Sequence, residues 1–250
     1  MFETGTNQWS TFLQWPPVTG KGDLYFGAGT LSSGKPKPGS ADDGKDVFVS
    51  DPRHPVPASA FPAEDLDHDY MTADQRFASR RPDVVTYDSG ALAEDVAVAG
   101  PIVADVYVAT DRADLDVVVK VIDVWPEDTE DPKPNPKSVR AGGYQQLVRA
   151  EVMRGRFRND FAKPERFISN SPTLVKVTLP DVLHTFRSGH RIMVQVQSSW
   201  FPLIDRNPQA WVDNIADADD EAFVAATHTI FHDVAHPSAL HVGVLRGRLP

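Results

Sequence analysis

The 250-residue chain contains no cysteine. That excludes disulfides, thiolate nucleophiles and Cys-ligated zinc or iron–sulfur sites. It fits a reducing compartment without establishing one. An excess of positive charge is also missing: 25 Lys and Arg stand against 35 Asp and Glu, a formal net charge of −10. Such a surface is unsuited to neutralising phosphates, so nucleic acid and anionic membranes are poor general partners. No apolar run approaches the roughly 18 residues that a membrane span requires. The opening Met1-Phe2-Glu3-Thr4-Gly5 has no basic n-region and no apolar h-region. No signal peptide is therefore visible, and a complete chain would be cytoplasmic.

What the sequence has in surplus is proline, 21 residues in all, well above the average usage of about 5%. Proline breaks helix interiors, so a helix-dominated fold is disfavoured. Eight prolines fall within residues 1–62, and Gly34–Gly44 reads as a long loop. Short strands are expected at Asp23–Phe26 and Asp46–Val49. From about residue 83 a period of two takes over. Val84–Tyr87 is β-branched and aromatic, and Asp95–Ala99, Pro101–Thr110 and Leu115–Trp125 alternate, with Leu115, Val117, Val119 and Val121 on one face. Alternation of this kind marks strands with one buried face. Turn signals separate them at Ser89-Gly90, Gly100-Pro101 and Asp111–Asp114.

Residues 126–143 hold Pro126, Pro132, Pro134 and Pro136 among charges and read as a surface loop. Further strands are expected at Tyr144–Met153, Thr173–Leu179, Arg191–Ser198, Thr227–Phe231 and Leu240–Leu245. One helix is expected over Gln209–Ala226, where Trp211, Val212, Ile215 and Ala218 have helical spacing. Many short strands, long Pro-rich loops and one short helix point to an all-β sandwich. The expected division is a junction segment with the first strands over 1–30, then a jelly-roll sandwich over 31–250.

The sequence carries few marks of catalytic or metal chemistry. No Gly-x-Ser-x-Gly elbow is present, so a serine nucleophile lacks its usual strand-to-helix turn. Gly29–Lys35 approaches a phosphate loop, but Pro36 stands where a Ser or Thr should hold magnesium. His228, His232 and His236 fall at i, i+4 and i+8 beside Asp233, a pattern that could ligate zinc. Pro237 follows at once and no His-Glu-x-x-His is present, so surface and turn histidines are the simpler reading. Glu64, Asp65, Asp67 and Asp69 could offer calcium oxygens, but the turn glycine and terminal Glu of a helix–loop–helix site are missing. No catalytic, cofactor or metal residue is assigned.

Two segments stand out as contact surfaces. Asp74–Asp83 places Arg76, Arg80 and Arg81 within six positions of an acidic chain. Those guanidiniums can pair with Asp74 and Asp83 or dock against another domain. Ser198–Pro208 sets Trp200, Phe201 and Leu203 next to Asp205, Arg206 and Asn207, an aromatic anchor with a polar rim. It can fold back over the end of the sandwich or meet another domain.

These residues also carry a family resemblance. The run Phe2–Trp9, then Trp15-Pro16-Pro17, then Ser50–Pro57 resembles the start of the C-terminal domain of X-Pro dipeptidyl-peptidase-like serine hydrolases. That family includes cocaine esterase, α-amino acid ester hydrolases and glutaryl-7-aminocephalosporanic acid acylase-type proteins. Gln75–Val84, Ala99–Tyr107 and Val117–Trp125 are similar to its middle. Gly143–Arg158, Leu179–Val196 and Ser198–Pro208 are similar to its end. The resemblance implies a galactose-binding-like jelly roll. It also implies that the Ser, Asp and His of catalysis belong to an upstream α/β-hydrolase domain, whose positions are not in this chain.

The expected function is therefore that of a non-catalytic accessory domain. It would buttress that α/β-hydrolase partner, wall part of its substrate cleft and take part in a homo-oligomer. A stand-alone jelly roll that binds carbohydrate through Trp200, Asp205, Arg206 and Asn207 is the alternative. An apolar patch near Trp9, Trp15, Trp200 and Phe201 is expected to be exposed.

Overall fold

A computed structural model describes residues 1–38, 43–61 and 70–250. The acidic run at 64–69 lies outside the described residues. The chain opens with β1 (Phe2–Glu3) and β2 (Gln8–Trp9), a small antiparallel pair. Then come β3 (Gly20–Phe26), β4 (Leu31–Ser32), β5 (Lys45–Ser50) and a four-residue helix α1 (Arg76–Ser79). The central strands are β6 (Val84–Asp88), β7 (Val96–Thr110), β8 (Asp116–Val124) and β9 (Gln145–Arg154). They are followed by β10 (Thr173–Phe186), β11 (Arg191–Gln197), β12 (Ala226–Phe231) and β13 (Ala239–Arg246).

The larger sheet runs β4-β3-β13-β7-β12-β5, with β10 on the other edge of β7. The smaller runs β6-β11-β8-β9. All of these pairs are antiparallel. One core lies between the sheets, and the alternation seen in the sequence supplies it. Val117, Val119 and Val121 of β8 meet Val98, Val106 and Val108 of β7 and Val175 and Val177 of β10. The fold is the expected all-β sandwich.

Two expectations change. Gly100-Pro101 is no turn: β7 runs unbroken through it for 15 residues. Gly100 takes φ +91°, and the register with β10 shifts nearby, between Leu179 and Val182. Pro101 has no N–H to donate, and a bulge absorbs that loss without ending the strand. The helix at Gln209–Ala226 does not form. Gln209 sits at φ +66°, and only single 3-10 turns occur, at Ile215–Asp217 and Asp220–Ala222. Trp211 lies under the guanidiniums of Arg156 and Arg166, at 4.5 and 4.7 Å, so its apolar surface packs without a helix. Asn214 caps its own turn through Ala216 N–H, the competition that Asn and Asp offer to helix.

Candidate functional site

Alternation along β8 sends Val117, Val119 and Val121 into the core and Asp116, Val118, Lys120 and Ile122 to the far face. Every residue of β8 is nevertheless buried. Three loop segments cover that far face, and two of them are those singled out from the sequence. The third, residues 51–58, joins them. Ala58 N–H donates to Phe201 O at 2.8 Å, and Phe201 N–H donates to Val56 O at 3.0 Å. Val56 N–H donates to Ser199 Oγ at 2.9 Å. Arg206 donates to Pro52 O at 3.1 Å and Arg81 to His54 O at 3.2 Å.

Lys120 sits at the centre of this cover, with no solvent exposure. Its ammonium donates to Gln75 Oε1 at 3.1 Å. It lies 4.9 Å from the Trp200 ring centroid and 5.8 Å from that of Phe77. Burial pulls its pKa down to about 7. One amine thus touches both singled-out loops. At the edge of the same cover, burial pushes the Asp116 carboxyl up to about 6, against opposing contacts from Arg154 and Asn207. Arg154 reaches it at 3.1 Å and Asn207 Nδ2 at 2.7 Å.

The candidate residues separate into committed and free. Asp74 pairs with Arg76, whose other nitrogens donate to Gly142 O and Arg140 O at 2.9 and 3.0 Å. Arg81 grips both oxygens of Asp83, at 2.8 and 2.7 Å. Arg80 is exposed and forms no ion pair with a described residue. Trp200 is only 7% exposed, which corrects its expected place in an exposed patch. The cause is that its ring packs on Val118 and Ala58 while Lys120 covers a face. Phe201 stays part-exposed. Arg206 stacks 4.7 Å from the Phe223 ring. Asn207 is buried, accepts from Gln209 N–H and donates to Asp116. Asp205 borders an open groove of about 920 Å³ with Arg154, Arg158 and Lys176, and its carbonyl accepts from Arg154.

The histidines do not converge. His232 pairs with Asp46 at 3.1 Å and His236 with Asp233 at 3.1 Å. His228 is buried against Phe48, and burial brings its pKa to about 4. Among the described residues no group of three or more His, Asp or Glu could hold a metal. The Gly29–Lys35 segment forms the turn and strand β4 beside β3.

A second polar cluster lies outside the two segments singled out from the sequence. Asp123, also on β8, takes His184 Nε2 at 3.2 Å and His190 Nδ1 at 2.8 Å. Burial raises its carboxyl, and those hydrogen bonds more than offset that, leaving it below the ordinary value. Thr4 Oγ1 meets His184 Nδ1 at 2.8 Å. The hydroxyl–imidazole–carboxylate order mimics a catalytic triad, but His184 is fully buried, and the groove of about 640 Å³ beside the cluster is lined by Gly5, Asp123 and His190, with neither Thr4 nor His184 in its wall. The lone Lys and the two Asp within LDVVVKVIDVW were the available signal: a charge in an apolar strand needs a partner when buried.

The described residues form a two-sheet antiparallel sandwich whose smaller sheet is closed over by loops around a buried Lys120. In comparison with known proteins, residues 1–241 match the X-Pro dipeptidyl-peptidase C-terminal non-catalytic domain, and the chain belongs to that family. Cocaine esterase of Rhodococcus sp. (strain MB1 Bresler) is 28% identical over 257 residues, which span 98% of this chain and 41% of that protein. An aminopeptidase from a marine sediment Thaumarchaeota archaeon superposes with a TM-score of 0.87 at 40% identity, covering 98% of this chain and 40% of its own. An α-amino acid ester hydrolase superposes at 0.89 with 38% identity, covering 97% and 40%. The chain therefore spans about two fifths of the length of the relatives it matches.

Proposed function

We propose that this chain works as the accessory domain of a serine acyl-hydrolase or peptidase acting on ester, amide or X-Pro peptide bonds. Its role is to buttress an α/β-hydrolase domain and to wall part of that domain's substrate cleft. The junction between the two falls at the start of residues 1–30, which also supply β3 of the larger sheet. The observation that carries this reading is the match of nearly the whole chain to a non-catalytic family whose enzymes are more than twice as long. The covered face of the smaller sheet supports the buttress role. Loops tied by backbone hydrogen bonds and a buried amine make a stiff body.

The carbohydrate-module reading is less well served. A sugar platform needs an open aromatic face with free polar groups beside it. Trp200 is covered and the Asn207 amide is committed to Asp116. The test is covalent labelling of the purified chain with a fluorophosphonate. No serine adduct is expected. Stoichiometric labelling of one serine overturns the reading.

A further inference from the structure

The first eighteen residues bury a carboxylate and expose several large apolar side chains. Glu3 is buried, and its carboxylate accepts from Thr185 Oγ1 at 2.7 Å and Arg246 Nη2 at 2.6 Å. Thr4 bonds the His184 ring and exchanges backbone hydrogen bonds with Leu183 and Thr185. Arg187 donates to Gly5 O at 2.9 Å and Trp15 Nε1 to Asp181 at 2.5 Å. Several polar groups of this arm thus face the sandwich, while Asn7, Gln8, Thr11 and Gln14 are exposed. Its apolar groups face away: Trp9 is 80% exposed, Val18 86%, and Leu13 fully exposed. Among the described residues, six of the fifteen exposed large apolar side chains lie in positions 1–18. They do not flail. Phe2 meets Trp9 edge-on at 5.5 Å, and Phe12 meets Trp15 at 5.7 Å.

Exposed apolar side chains on a clamped segment mark a surface built to be covered. What covers it follows from length and order. About three fifths of each matched relative's own length lies outside the part that this chain covers. The family is a C-terminal domain, so that remainder precedes the region equivalent to residue 1. The arm is the part of the sandwich that adjoins it. We propose that the outward face of residues 1–18, centred on Trp9, Leu13 and Val18, is the seat of the α/β-hydrolase domain. The inference rests on the accessory-domain reading and deepens it. It also moves the contact away from the Asp74–Asp83 and Ser198–Pro208 loops, whose groups are largely spent inside this chain.

The test fuses this chain to the hydrolase portion of the α-amino acid ester hydrolase, in place of that enzyme's own matching two fifths. Hydroxyl-radical labelling is then read in the fusion and in the chain alone. Expected is amino acid ester turnover, with labelling of Trp9, Leu13 and Val18 reduced at least fivefold by fusion. Phe161 and Ile168, exposed elsewhere, should label equally in both. The triple variant Trp9→Ser, Leu13→Ser, Val18→Ser should leave the chain's own unfolding midpoint unchanged and lower that of the fusion. An active fusion whose arm labels as in the chain alone overturns the docking proposal. So does self-association that covers the arm while the fused hydrolase leaves it open. An inactive or insoluble fusion overturns the accessory-domain reading beneath it.

Discussion

The Lys120 ammonium lies 4.9 Å from the centre of the Trp200 ring. It joins the middle of the smaller sheet to the loop that closes over it. The contact is held against a desolvation cost, which is why the amine titrates near 7 instead of at its ordinary 10.5.

The first prediction is a pH dependence. In the unfolded chain Lys120 stays protonated up to about 10.5, while in the folded chain it releases its proton near 7. Between those values the unfolded state binds more protons, so this group makes stability rise with pH across that window. Below pH 7 its penalty is fully present. Urea titrations at pH 6, 8 and 10 should show Lys120→Met gaining most over the wild type at pH 6 and least at pH 10. Parallel curves would contradict the assignment.

Trp200→Ala should cost about 3–5 kcal/mol, as for a large buried aromatic. The loss should also free residues 51–58, because Val56 and Ala58 hydrogen-bond to the Ser199–Phe201 strand-like segment. Hydrogen exchange of Val56 and Ala58 amides measures it. Phe201→Ala, at a part-exposed ring, should cost about 1 kcal/mol or less. Equal costs would mean that Trp200 is not the anchor.

Gly5→Ala should unseat the arm. Gly5 has φ +86°, and a Cβ there would lie 2.0 Å from Thr185 O. No side chain can yield, since the obstacle is backbone. Limited proteolysis should cut within residues 1–18 of the variant while the sandwich stays resistant. An unchanged digestion pattern would contradict the clamp.

Asp123→Asn should cost about 1–3 kcal/mol at neutral pH, because His184 and His190 lose a charged acceptor in a buried site. The Asp123 carboxyl is depressed in the folded chain, so its stabilisation is present above the ordinary value of 3.8 and lost as pH falls through its lower folded value. The gap between variant and wild type should therefore close in acid. A gap that is constant down to pH 2 would contradict that role.

Much of this was readable from local pattern. The strands from Val84 to Arg246 were legible because period-two alternation and burial coincide. The Asp74–Arg76 and Asp83–Arg81 pairs were legible because each spans two residues. The site was less so, since its contacts are long-range. Trp200 reads as an exposed anchor until residues 51–58, more than 140 positions earlier, are seen to cover it. Helical spacing at Trp211–Ala218 misled because flanking Asp and Asn prefer caps, and two guanidiniums took the Trp ring instead. Gly100-Pro101 carried a turn signal that a bulge absorbed. The inward polarity of Glu3 and Thr4 had no sequence signal, because their partners are on β10 and β13.

The central claim is that this chain supports catalysis without performing it. The most direct measurement is steady-state hydrolysis of an amino acid p-nitrophenyl ester and an X-Pro p-nitroanilide by the purified chain. The account predicts rates equal to buffer, unaffected by phosphonate. Saturable turnover above buffer, abolished by phosphonate and by a single serine substitution, would contradict it.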